Sequence, residues 1–276
     1  MVFERSGREK QHKTAVKEAQ EDLDAYVKNR NYRFTIDTNY IIILAEFGEE
    51  DILLNVANCP SYVLSDVIYG ELKGISKSLS RRAKKIIDKF LRFAEKRRVK
   101  IDTSAIEKAL KPLASLLPRK IVNDVIISLS DSFINNLIKI YEELKAKMIK
   151  GILTLSDRAR ATNYYRKEQQ ALSSKVRERY EKLCNEFRID RSKIDEEEYF
   201  RHVQRFINEY LTSIKNTLGK SKSLIELLKQ LRMITKKSYE PDIRYVAHTI
   251  AQKAKARSFD SDVIWLLRFH ALKRAS

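Results

Sequence analysis

The chain has 276 residues, with 55 Lys and Arg against 37 Asp and Glu, a net charge of +18 and a hydrophobic content of 43%. That length permits a sizeable core, and that hydrophobic content excludes a wholly disordered polypeptide. No apolar run approaches the roughly 18 residues of a membrane span. Residues 1–30 are charged and carry no signal-peptide core. Cys59 and Cys184 form neither a disulfide framework nor a metal-ligand spacing. These features predict a reduced, cytoplasmic protein with no membrane contact. The excess of positive charge predicts a polyanionic partner, most simply nucleic acid. A generally basic protein without such a partner is the duller alternative.

In chain order, residues 8–29 read as a helix, with Val16, Ala19, Leu23, Tyr26 and Val27 forming one apolar stripe. A strand follows over 33–37 and ends on Asp37-Thr38-Asn39. Helices over 40–47 and 51–56 come next, then a turn at Asn58-Cys59-Pro60 and a strand over 62–65. The helix from Asp66 carries Glu71 and ends near Gly74. Residues 79–97 form a basic amphipathic helix, 99–102 a short strand, and Thr103 or Ser104 caps another helix. The order βαβαβα implies a parallel sheet. Two carboxylates, Asp37 and Glu71, then follow successive strands, an arrangement suited to a divalent cation and phosphodiester chemistry.

From about 120 to 235 helical periods dominate and the charge rises. One long helix shows Phe133, Leu137, Ile140, Tyr141, Leu144 and Met148 on a face. Residues 158–182 carry eight Lys or Arg against three Glu, together with Tyr164, Tyr165 and Tyr180. We expect RNA to be held there by Arg158, Arg160, Arg166, Lys167, Arg177 and Arg179, with tyrosines able to stack on bases. Helix packing explains the tyrosines equally well. A third helix spans 197–217, Gly219 to Ser223 form a loop, and a fourth helix begins at Leu224. The earlier style returns at Tyr239-Glu240-Pro241-Asp242, which opens a helix with proline in its first turn. Arg257 to Asp262 form a short segment, and an apolar helix begins at Val263.

Ile36-Asp37-Thr38-Asn39 after a strand, followed by Leu64-Ser65-Asp66-Val67-Ile68-Tyr69-Gly70-Glu71-Leu72, resembles the PIN-domain nuclease family. Asp242 opening a helix with small residues, and Asp260 eighteen residues later, fit that family's third and fourth acids. With a long helical insertion, the chain resembles in particular the branch of the Aquifex-type protein-only RNase P and the archaeal RNA-ligase-partner proteins. The resemblance implies an α/β fold: a PIN-like parallel-sheet core with a large helical insertion. The expected organisation is an N-terminal helix over 1–32, core over 33–118, basic helical insertion over 119–236, and core again over 237–276.

It also implies a divalent-metal-dependent endoribonuclease acting on structured RNA such as tRNA precursors. Asp37, Glu71, Asp242 and Asp260 would be catalytic and would hold Mg2+ or Mn2+, with Asp262 as a further ligand. Asp37 would be central, oriented by Thr38 and Asn39. A homo-oligomer stays open. A second assignment takes Asp131 and Asp157, 26 residues apart, as the third and fourth acids. Taken singly, each acid has a plainer role: Asp37, Asp260 and Asp262 as helix caps, Asp242 as a first-turn acid, Glu71 as a solvated residue. Two rival functions remain at this point, a VapC-like toxin ribonuclease and a non-catalytic RNA-binding or assembly protein.

Overall fold

A computed structural model of the chain describes residues 2–75, 79–128, 131–152, 154–218 and 238–275. They divide into two units: residues 1–112 with 239–268, and residues 113–238 with 269–276. The loop expected at 219–223 and the helix expected from Leu224 lie outside the described residues.

The first unit begins with α1 (Val2–Lys28) and continues with β1 (Phe34–Ile36), α2 (Thr38–Phe47), α3 (Glu50–Asn58), α4 (Asp66–Ile75), α5 (Arg81–Ala94) and α6 (Ser104–Leu113). It is completed by α11 (Glu240–Ala251), β2 (Lys255–Arg257) and the first part of α12 (Ser261–Ala275). The apolar spacing of α5 places Ala83, Ile86, Ile87, Phe90 and Leu91 on one buried face, and Ser80 caps it by accepting from the Ala83 N–H. That face packs on α2 and α3, which in turn pack on α1. Gly48 ends α2 at φ 85°, a left-handed conformation that returns its N–H to the carbonyls of Leu44 and Ala45.

The expected PIN-like parallel-sheet α/β core is not what forms. The fold is mostly helical, and the sheet among the described residues has two strands, β1 and β2, paired in parallel with Phe34 opposite Lys255 and Ile36 opposite Arg257. The segment read as a strand over 62–65 makes two isolated parallel bridges, Tyr62 to Phe34 and Leu64 to Arg98, and the segment read over 99–102 makes none among the described residues. Both passes are short. The second segment lies between the turn after Cys59 and the start of α4, and the third between the 3-10 turn at Glu95–Arg97 and α6. Pairing there stops at isolated bridges: the Ser61 carbonyl accepts the Phe34 N–H and the Phe34 carbonyl the Val63 N–H, while the Arg97 carbonyl accepts the Leu64 N–H and the Leu64 carbonyl the Val99 N–H. Conversely, β2 lies in Lys-Ala-Arg, a tripeptide with no apolar run to announce it, of which Lys255 is exposed and Arg257 buried.

The second unit contains α7 (Pro118–Ser128), α8 (Asp131–Ile149), α9 (Leu155–Phe187) and α10 (Glu196–Leu218). Its core is built where α7 meets α9 and α10. Leu172, Val176, Tyr180 and Leu183 recur at helical spacing along α9 and are buried, as are Tyr199, Val203, Phe206 and Tyr210 along α10. The Tyr180 and Tyr199 rings pack at 4.5 Å in a tilted pair, and the Tyr199 hydroxyl donates to the Leu116 carbonyl at 2.7 Å. The buried tyrosine is therefore satisfied.

Phe90 is fully buried on the inward face of α5 and packs against Tyr62 at 5.9 Å between ring centroids. Phe90→Ala should cost about 3–5 kcal/mol through lost burial and an unfilled cavity. Urea denaturation measures it, and a loss below about 1 kcal/mol would mean that this face can collapse.

Candidate metal centre

Asp242, Asp260 and Asp262 bring carboxylate oxygens within 4.8 Å of one another. Three elements place them. Pro241 stands in the first turn of α11, where its missing N–H costs nothing, and Asp242 follows it on the same turn. β2 ends at Arg257, and the chain then turns through Ser258 into α12. Asp260 precedes that helix and accepts the Asp262 N–H at 2.8 Å, while its own carbonyl accepts the Ile264 N–H. Asp260 is thus both helix cap and member of the acidic group, because the cap bond sets the direction of its carboxylate. Asp262 is 1% exposed.

Asp37 and Glu71 lie outside the trio but are tied to it. The Asp37 N–H donates to the Arg257 carbonyl at 2.9 Å, extending the β1–β2 ladder by one bond. Its carboxylate accepts from the Thr38 N–H at 2.7 Å and from the Ser258 hydroxyl at 2.6 Å. The same Ser258 hydroxyl oxygen accepts the Asp260 N–H at 3.0 Å. Thr38 also donates its hydroxyl to Glu71, which connects α2 to α4. Burial raises the pKa of Asp37 to about 6; the bonds from Ser258 and Thr38 oppose that rise, and the charges of Asp260 and Glu71 add to it. Tyr245, on the buried face of α11, is kept protonated by its burial and then by the charge of Asp37.

The donor set suits a hard cation. Carboxylates are the ligands that both Ca2+ and Mg2+ prefer. No imidazole or thiolate is in the group, which disfavours zinc.

The sequence reading gave Asp37 the central place; the compact group centres instead on Asp260, with Asp262 a full member. Asn39, expected to orient Asp37, is exposed, and that task falls to Ser258. Ser258 was missed. Its only signal was a small hydroxyl residue two positions before a candidate acid. The other acidic pair is not assembled in this way. Asp157 belongs to the second unit, closes a capping box with Thr154 at the start of α9, and is held down to about 2 by bonds from Lys147 and Thr154. The Asp131 side chain lies outside the described residues.

Of the residues expected to hold RNA, Arg166, Lys167 and Arg177 are exposed and Arg179 is half-buried. The side chains of Arg158, Arg160, Tyr164 and Tyr165 lie outside the described residues. Arg177 covers the Phe200 ring at 4.0 Å. Tyr180 is core. At about 100° per residue the exposed cations spread across the solvent side of α9 instead of forming one narrow row.

An acid whose folded pKa exceeds its unfolded value binds its proton more tightly when folded. Stability of the metal-free protein should therefore fall as pH rises from about 4 to 6, by about 3 kcal/mol from Asp37 alone. Asp37→Asn should flatten this slope and raise the melting temperature above pH 6. Melting curves across that range measure it; a variant no more stable than wild type at pH 7 would contradict the burial argument. Divalent-ion binding at the trio should tighten over the same interval, since ionised Asp37 adds negative charge beside it.

Compared with protein-family models, with curated proteins and with solved structures, the chain finds no match in any of the three.

Proposed function

We propose that the protein is a divalent-metal-dependent endoribonuclease acting on structured RNA, with tRNA precursors the first substrates to try and Mg2+ or Mn2+ the cofactor. The observation that carries this reading is the gathering of Asp242, Asp260 and Asp262 next to Asp37 on a chain of net charge +18. The chemistry does not depend on the family's sheet, only on carboxylates converging in a basic protein.

Asp242, Asp260 and Asp262 would hold the cation. A bound divalent ion supplies positive charge where a phosphodiester becomes more negative on the way to its transition state. The Asp262 N–H aims Asp260, and Ser258 and Thr38 aim Asp37. Asp37, with a pKa of about 6 before a cation is bound, can accept a proton from an attacking water near neutral pH. Arg166, Lys167 and Lys175 on the exposed side of α9 would hold the RNA backbone.

The central test is cleavage of structured RNA with Mg2+, with Mn2+ and with EDTA. Asp260→Asn and Asp262→Asn should each lose at least about a hundredfold in rate, equivalent to about 3 kcal/mol of transition-state stabilisation, while remaining folded. Wild-type cleavage by either variant would overturn the metal-nuclease reading. RNA binding with no cleavage by the wild-type protein would leave the non-catalytic alternative standing.

Binding has its own signature. Log K should fall linearly with log salt, by about 0.7 per phosphate contacted on single strands. Replacing Arg166, Lys167 and Lys175 together with Ala should weaken binding and make the slope shallower, while leaving Mn2+ affinity as it was. An unchanged slope would locate RNA binding elsewhere.

A further inference from the structure

The molecule's most elaborate buried ion network lies beside the acidic group, on the last residue of β2. The Arg257 side chain is 9% exposed and the Asp22 side chain 1%. Arg257 Nε and one terminal nitrogen both donate to the Asp22 carboxylate at 2.9 Å, a two-pronged pairing. The other terminal nitrogen pairs with Glu18 at 2.9 Å, and Glu21 stands at 3.3 Å. Tyr32 donates its hydroxyl to Asp22, and Lys255 lies 3.9 Å from the same carboxylate. Three successive acids on one side of α1 thus close around a single guanidinium.

Stability alone is a poor reason for such a network. A buried ion pair recovers little more than the cost of desolvating its charges, and well-packed apolar residues often do as well. What the pair does supply is a fixed position. Successive side chains point to opposite sides of an extended segment, so Arg257 faces α1 while Ser258 faces Asp37. The Arg257 carbonyl takes the Asp37 N–H, and Ser258 binds both the Asp37 carboxylate and the Asp260 N–H. Asp260 in turn takes the Asp262 N–H. Unbroken contacts therefore run from α1 through one arginine to the acids.

We propose that Arg257 is the positioning residue of the acidic group and that α1, through Asp22, belongs to the machinery that sets its geometry. This rests on the reading of that group as a metal centre, but the contact chain exists whatever the group binds. With the guanidinium released, the end of β2 is held by short backbone pairing only. A shift of a few tenths of an ångström there moves Ser258 and Asp260 together. Partners that orient metal ligands commonly contribute about 10–100-fold in affinity.

The test replaces the pair with apolar residues instead of breaking it. The double variant Arg257→Met, Asp22→Leu should fold and melt within a few degrees of wild type. Its Mn2+ affinity by titration calorimetry should fall by about tenfold or more. Amide exchange followed by NMR should be about tenfold faster at Asp37 and Asp260, but not at Ile41 or Leu44 in α2. A folded double variant with wild-type Mn2+ affinity and wild-type exchange at those two amides overturns the proposal. Should the double variant not fold, Tyr32→Phe removes only the phenol's bond to Asp22. It should weaken Mn2+ binding about threefold at unchanged melting temperature, and wild-type affinity in that variant overturns the proposal equally. If the wild-type protein binds no Mn2+, the metal reading fails, and the exchange rates at Asp37 and Asp260 alone decide the positioning claim.

Discussion

The parallel pairing of Phe34–Ile36 with Lys255–Arg257 is the constraint on which the first unit depends. It joins segments more than two hundred residues apart, and it is only three residues long. A ladder that short is marginal by itself, and closing so long a loop carries an entropic cost. The pairing persists because its far end is clamped. Arg257 accepts the Asp37 N–H through its carbonyl and is gripped by Glu18, Glu21 and Asp22 of α1 through its side chain. Asp37 is placed directly by that junction, and Asp260 and Asp262 follow from it through Ser258.

Bringing like charges together has to be offset by something within the chain. Burial first, and then the neighbouring charges of Asp260 and Glu71, push the pKa of Asp37 upward. Part of the offset is geometric. Asp37 caps α2, Asp242 lies in the first turn of α11, and Asp260 precedes α12 with Asp262 in its first turn. The N-terminal ends of three helices therefore point toward the acids, and helix N-termini favour negative charge. The plain role of each acid and its collective role are compatible, since a cap fixes the direction in which a carboxylate points. Residual repulsion is what a divalent ion would relieve.

The second unit follows different rules. It is held by aromatic and aliphatic side chains of α7, α9 and α10, and its exposed surface is where the cations of α9 stand. Arg177 over Phe200, and Arg191 between Glu181 and Glu196, show that some of those cations are structural. Charge counted along a helix thus overstates the charge available to a ligand.

Many of the helices were legible in the sequence because they rest on local information: apolar residues at helical spacing along α1 and α5, and Pro241 in the first turn of α11. The acids of the candidate site were legible as residue types at helix starts. The sheet was not, because a strand is defined by its partner. The segments at 62–65 and 99–102 looked like strands, yet the first made only isolated bridges, whereas the polar tripeptide Lys255–Arg257 paired with β1. Nor could spacing show that Asp262 would join Asp242 and Asp260 while Asp37 stood aside, or that Ser258 would link them. By itself the sequence determined which stretches carry a helical apolar period, which residues are apolar enough to be buried, and that the chain is strongly basic. Only the tertiary structure decided which carboxylates meet and which arginine holds them, because those distances arise from one long-range strand pairing and one buried ion network, and neither leaves a periodic trace along the chain.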